Sequence, residues 1–226
     1  MKRRVILEVS VALACVMVCL AVWLFASMLT APEPIAERES ETEPEPEYTH
    51  FVILDPGHGG EYPGCIRGGV EEKALTLEIC TRIRDKLRES AVDALMTRET
   101  DVTVTLDERC EIANASEAEL FVSVHVNSYP EEAIAGLESY FYKGSESGKA
   151  LSDSVLAHAE SAGIRTRYSR EGNYQVIRDT KVPAILVETG YMTNPAELEL
   201  LMSADYQDKL AEAIAGAIVE YLGSAE

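Results

Sequence analysis

Basic residues are scarce in this chain of 226 residues: 20 lysines and arginines stand against 39 aspartates and glutamates, for a formal net charge of −19. No basic patch is present to neutralise phosphates, so nucleic acid is not an expected partner. The same deficit argues against electrostatic adhesion to anionic headgroups. Five cysteines are too few for a disulfide scaffold. The chain has no H-E-x-x-H motif and no internal repeat, and no second, substrate-targeting module is expected after its main domain. What it does have is 46% hydrophobic and 26% charged residues, the balance of an ordinary soluble domain with one proper core.

The N-terminal thirty residues depart from that balance. Lys2, Arg3 and Arg4 precede an apolar run of 21 residues, Val9 to Leu29, and about 20 helical residues span a bilayer core. Secretory signals usually carry a shorter apolar region and a small-x-small exit; Ala26-Ser27-Met28-Leu29-Thr30-Ala31 fits that exit poorly. Residues 1–30 are therefore predicted to be an uncleaved transmembrane signal anchor. The basic cluster would stay in the cytoplasm and the rest of the chain outside. Cleavage and secretion is the alternative. Cys15 and Cys19 read as small apolar fillers. Residues 31–49 hold four prolines and seven glutamates against one arginine, the composition of a disordered, self-repelling spacer. Of the total charge, +2 falls in residues 1–30 and −6 in 31–49, leaving −15 for a domain at 50–226.

Within that domain, strand and helix patterns alternate. Phe51–Leu54 is an apolar run that meets a turn at Asp55-Pro56-Gly57. Residues 71–89 repeat Leu75, Ile79, Ile83 and Leu87 at helical spacing. Strands are expected at Val92–Thr97, Leu120–Val126, Gly136–Tyr142 and Ala184–Val187, and a weak one at Tyr174–Ile177. Thr105 and Glu108 have capping-box spacing ahead of a helix to about Ala115. Further helices are expected at 147–162, from Asn194-Pro195, and at about 205–222, while 163–173 reads as a polar loop. Apolar, unalternating strands between helices indicate a single α/β domain, with a mostly parallel mixed sheet covered by helices on both faces.

Three of these strands end in reactive side chains. The first runs into His58, the third ends at His125 with Asn127 two residues on, and Ala184–Val187 ends at Glu188. Parallel strands share their C-terminal edge, where ligands bind. Glu72 shares the apolar stripe of the 71–89 helix, and an inward carboxylate must be paired or bind metal. Two histidines and a carboxylate, with a second carboxylate nearby, suit a catalytic zinc. Glu188 then serves as the group that moves a proton. By spacing alone, satisfied structural histidines fit as well. Asn127 reads equally as a substrate contact, a ligand-orienting group or a structural residue.

Taken in order, the segments Val52–Gly60, Glu72-Lys73, Thr97–Asp101, Leu106–Arg109 with Ala113-Asn114, Phe121–Ser128 and Pro183–Asn194 resemble the zinc-dependent N-acetylmuramoyl-L-alanine amidases, the family called amidase type 3. The resemblance covers essentially the whole domain. It implies zinc (Zn2+) held by His58, Glu72 and His125, and Glu188 as the catalytic carboxylate. It also implies peptidoglycan as the partner, cleaved at the amide between N-acetylmuramic acid and L-alanine. Val126 stands where many members have alanine. Arg98, Asp101 and Arg109 are expected to be structural ion pairs or caps. Cys80 and Cys110 should be core residues, and Cys65 sits in the loop after His58. His50 and His158 have no partner legible in the sequence and are expected at the surface. Two other functions stay open at this stage. One is another zinc peptidase, with Arg67, Arg165 or Arg178 to hold a terminal carboxylate. The other is a wall-binding module without catalysis, against which Glu72 and Glu188 both argue.

Overall fold

The computed structural model describes residues 17–27 and 47–224. Residues 17–27 form a helix, α1, whose apolar side chains, among them Trp23 and Phe25, are exposed. Among the described residues no helix is long and apolar enough to cross a membrane. The remainder of the predicted anchor, and the predicted spacer up to residue 46, lie outside the described residues.

From His50 onward the chain runs β1 (His50–Pro56), β2 (Ile66–Arg67), β3 (Val70–Glu71), α2 (Glu72–Glu89), β4 (Val92–Met96), α3 (Leu106–Ala115), β5 (Leu120–Asn127), β6 (Leu137–Phe141), α4 (Glu146–Ser161), β7 (Thr166–Glu171), α5 (Gln175–Arg178), β8 (Ala184–Tyr191), α6 (Pro195–Leu201) and α7 (Ala204–Ser224). Six strands form one sheet in the order β4-β1-β5-β8-β6-β7. Strands β4, β1, β5 and β8 run parallel, β6 is antiparallel to β8, and β7 is parallel to β6. The sheet is thus mixed and mostly parallel, as the sequence suggests.

Period-two alternation divides the strands between two cores of unequal size. Val52, Leu54, Val122, Val124, Ile185 and Val187 face α2, α4 and α7, whose stripes include Ile79, Ile83, Val155, Ile214 and Ile218. Ile53, Phe121, Ala184 and Leu186 face the opposite way, onto the shorter α3 and α5 through Cys110, Ala113, Val176 and Ile177. The second face is covered by 14 helical residues alone, ten in α3 and four in α5. Its strand positions continue toward the C-terminal edge as Asp55, Ser123, His125, Glu138 and Glu188.

Two expectations need correction. Tyr174–Ile177 is not a strand. Its last three residues open the short helix α5, which drops Val176 and Ile177 side by side onto the second core. Burial of that pair outweighs the strand preference of β-branched residues. The polar stretch 163–173 is not a loop throughout, because it contains β7. An edge strand needs no apolar alternation when its backbone pairs with β6 and its side chains are half-buried or exposed. The capping box at Thr105 and Glu108, and the Asn194 cap ahead of Pro195, form as expected.

The C-terminal edge is organised by one buried carboxylate. Asp55 has no exposed surface and accepts hydrogen bonds from Thr97 Oγ1 at 2.6 Å and Ser123 Oγ at 2.7 Å. It also pairs with Arg109 of α3, itself buried. The same guanidinium donates to the carbonyls of Pro56 (2.8 Å), His58 (2.6 Å) and Val104 (3.1 Å). Arg98 donates to the carbonyls of Pro56 and Gly57, and Asp101 pairs with Lys73 while accepting from the Gly60 amide. These three residues thus clamp the loop that carries His58. Removing one partner of a buried pair costs about 3–5 kcal/mol. Arg109→Ala should therefore lower the stability of the domain by that amount in denaturant titration, and a loss below about 1 kcal/mol would show that the pair is not a keystone.

Candidate metal centre

β1 ends on Asp55-Pro56, and Gly57-His58-Gly59-Gly60 turns away from the sheet. His58 sits at φ +62°, in the left-handed region, a conformation that costs a non-glycine residue about 1–3 kcal/mol unless its surroundings hold it. The carbonyl bond from Arg109 is part of what holds it. Gly57 is required for a different reason. A Cβ there would lie 2.3 Å from the His125 ring, so only glycine lets the histidine fold over β1.

His125 stands near the end of β5, and Glu72 is the first residue of α2, the helix from the opposite face. One carboxylate oxygen, Glu72 Oε1, lies 3.1 Å from His58 Nε2 and 3.1 Å from His125 Nδ1. The Val126 amide donates to the same oxygen at 3.1 Å, and the Cys65 amide donates to Oε2 at 2.9 Å. Burial opposes the charge on Glu72, but hydrogen bonds from His125 and His58 outweigh it and hold the carboxyl well below the usual range. The two imidazole rings meet edge to face, with centroids 4.9 Å apart. Together the three side chains offer two nitrogens and an oxygen, all within 4.8 Å of one another. That donor set, buried on one side and open on the other, is the type that holds a catalytic zinc.

Glu188 comes from the neighbouring strand, as the direct register partner of His125. It takes no part in the three-residue cluster. Its Oε2 is buried without a hydrogen-bond partner among the described residues. Burial, and then the charges of Glu72 and Glu138, push this carboxyl well above the ordinary range. A carboxyl that gains little from staying ionised and has a free oxygen suits proton transfer. Asn127 does not reach into the cluster. Its amide donates weakly to Glu138 at 3.4 Å, its carbonyl accepts from the Ser128 amide, and its backbone carbonyl accepts from Met192. Beside His58 and His125 a groove of about 400 Å³ opens, lined also by Tyr62, Leu106 and Val176.

Sequence reasoning missed Glu138. It is fully buried at the start of β6 and is the register partner of Glu188 from the other side. It accepts from the hydroxyls of Tyr191 and Tyr140 and pairs with Arg167 Nε at 2.8 Å. A signal was available, since a glutamate inside a strand otherwise reading as core must be paired or functional. Cys65 touches the site through its backbone amide and not its thiol, while Cys80 and Cys110 are core residues. His50 and His158 do have partners. His50 Nδ1 lies 3.1 Å from Glu119, and His158 contacts the Ser154 carbonyl and Glu220. Arg178 is taken up by Asp179.

Residues 52–220 match the N-acetylmuramoyl-L-alanine amidase family, Amidase_3. A germination-specific N-acetylmuramoyl-L-alanine amidase of Bacillus subtilis is 34% identical over 189 residues, covering 76% of this chain and 79% of its own length. Among solved structures, an N-acetylmuramoyl-L-alanine amidase from Clostridium difficile 630 superposes with a TM-score of 0.75 at 32% identity, over 78% of this chain and 98% of that one. The amidase AmiC2 of Nostoc punctiforme does so with a TM-score of 0.73 at 40% identity, over 77% and 97%. By sequence and by fold, this chain belongs to the N-acetylmuramoyl-L-alanine amidase family.

Proposed function

We propose that this chain hydrolyses the amide between N-acetylmuramic acid and L-alanine in peptidoglycan, with zinc held by His58, Glu72 and His125 and with Glu188 as the proton-moving carboxylate. The observation that carries the reading is the meeting of a three-residue N,N,O donor set with an unpartnered buried carboxyl one strand away. When bound, zinc supplies a Lewis acid that acidifies a water and polarises a carbonyl oxygen. His58 and His125 act as neutral donors and Glu72 as an anionic one. The Val126 and Cys65 amides fix the Glu72 carboxylate in place. The Glu188 carboxylate accepts the proton of the attacking water and returns it to the departing alanine nitrogen. The bond from carbonyl carbon to nitrogen breaks, leaving an acid on the sugar and an amine on the peptide. The groove beside the histidines gives a polymer access from solvent. Asn127, with its amide only weakly engaged, is available to a substrate oxygen.

The proposal includes where the enzyme works. Lys2, Arg3 and Arg4 ahead of the 9–29 apolar run support an anchor in the cell membrane. The acidic spacer 31–49 would hold residues 50–226 outside the cytoplasm, next to the wall.

Three outcomes test this. Chelation should abolish release of peptides from purified peptidoglycan and zinc should restore it; His58→Ala together with His125→Ala should also abolish bound zinc, and full occupancy in that variant would overturn the ligand set. Glu188→Gln should keep zinc yet lose about 10²–10⁴-fold in turnover; near-normal turnover would mean that another group carries the proton. Fractionation should find full-length protein in the membrane with its C-terminal domain accessible to external protease, and a chain in the medium beginning near residue 31 would favour cleavage instead.

A further inference from the structure

The sheet places four side-chain positions in one row: His125 on β5, Glu188 on β8, Glu138 on β6 and Tyr168 on β7 are successive register partners. The next row back along the same face reads Ser123, Leu186, Tyr140 and Arg170. Beyond Glu188, then, the rows pass through buried Glu138 and Tyr140 to Tyr168 and Arg170 at the partly exposed sheet margin. In a chain of net charge −19, Arg165, Arg167 and Arg170 fall within six positions of one another.

Two of these arginines are held in place by a built network. Arg167 uses Nε for Glu138, a fully buried carboxylate, and lies over the rings of Tyr168 (5.3 Å) and Tyr191 (5.7 Å). Neither Nη of Arg167 makes a hydrogen bond among the described residues, so the outer fork of the guanidinium is free. Arg170 donates one Nη to Tyr140 at 2.9 Å and lies 4.1 Å above the Tyr168 ring. Stacking on rings fixes a guanidinium without consuming its donors. The two guanidinium groups share the Tyr168 ring, at 5.3 and 4.1 Å from its centroid, and such charged donors match a carboxylate.

We infer that Arg167 and Arg170 form an anion subsite that grips a carboxylate of the peptide stem, on the leaving side of the scissile amide. This deepens the proposed activity and rests on it. The spacing agrees: two strand separations carry the row about 10 Å from Glu188 to β7, which an extended peptide covers in about three residues. Glu138 acts as the positioning residue, and its burial anchors Arg167 from below. The subsite would also offset the repulsion that so acidic a domain exerts on an acidic substrate.

The test compares a soluble muramoyl peptide with free carboxylates on its stem and the same compound with those carboxylates amidated. Wild-type enzyme should favour the acidic stem in kcat/KM by about tenfold or more, the discrimination expected of charge-assisted bonds. In the double variant Glu138→Gln with Arg167→Gln, which removes the pair without stranding a buried charge and leaves only Arg170, the ratio should fall at least about threefold. Taking the ratio cancels any general loss of active enzyme. Should that variant not fold, Arg170→Gln leaves the Glu138 pair intact and should reduce the ratio at least about threefold. Equal rates on both stems by the wild type, or an unchanged ratio in the variants, would overturn the subsite while leaving the amidase reading in place. Calorimetric binding of the two stems to Glu188→Gln reads the subsite without turnover. A preference there with no hydrolysis of either stem by the wild type would support the subsite and overturn the proposed activity instead.

Discussion

The geometry of the candidate metal centre depends on a carboxylate that is not in it. Asp55 is buried at the end of β1, where an unpaired charge would be strongly unfavourable. Its two oxygens are satisfied by residues after β4, on β5 and on α3, so the demand of one charge draws three other elements to one edge. Arg109 then passes the constraint onward through its bonds to the Pro56 and His58 carbonyls. A left-handed histidine is thereby kept where its ring can meet Glu72.

The two faces of the sheet divide the labour. The face beneath α2, α4 and α7 is dense and apolar and supplies the greater part of the core. The other face is covered by two short helices, and toward the C-terminal edge its strands carry Asp55, Ser123, His125, Glu188 and Glu138 instead of aliphatics. Three adjacent positions in one row are ionisable, which is costly unless each is compensated. Glu138 is compensated by Arg167 and two tyrosines. His125 is compensated by Glu72. Glu188 alone has an oxygen without a partner, and the group least stabilised as an anion is the one free to change its protonation state.

β7 shows the same economy at the sheet margin. Its arginines discourage pairing with another chain, a common protection of edge strands, and their stacking on Tyr140, Tyr168 and Tyr191 keeps the guanidinium groups at defined positions instead of dispersed in solvent.

Much of this was legible beforehand. Apolar strand runs, the helical spacing of Leu75, Ile79 and Ile83, the capping box at Thr105 and the glycines around His58 are local patterns, and local patterns are what a linear sequence records. Residue types settled the chemistry on offer: imidazoles and carboxylates at strand ends, and an inward glutamate at the head of a helix. What the sequence could not determine is which groups share an oxygen and which is left alone, because that depends on register between strands far apart in the chain. Glu138 gained its place from pairing with β8, Arg167 and Arg170 gained theirs from an edge strand with no apolar signal, and α5 overrode the β-preference of its residues because the second core had room for them. Tertiary structure decided these points, since the energy of a buried charge is set by its neighbours in space and not by its neighbours in sequence.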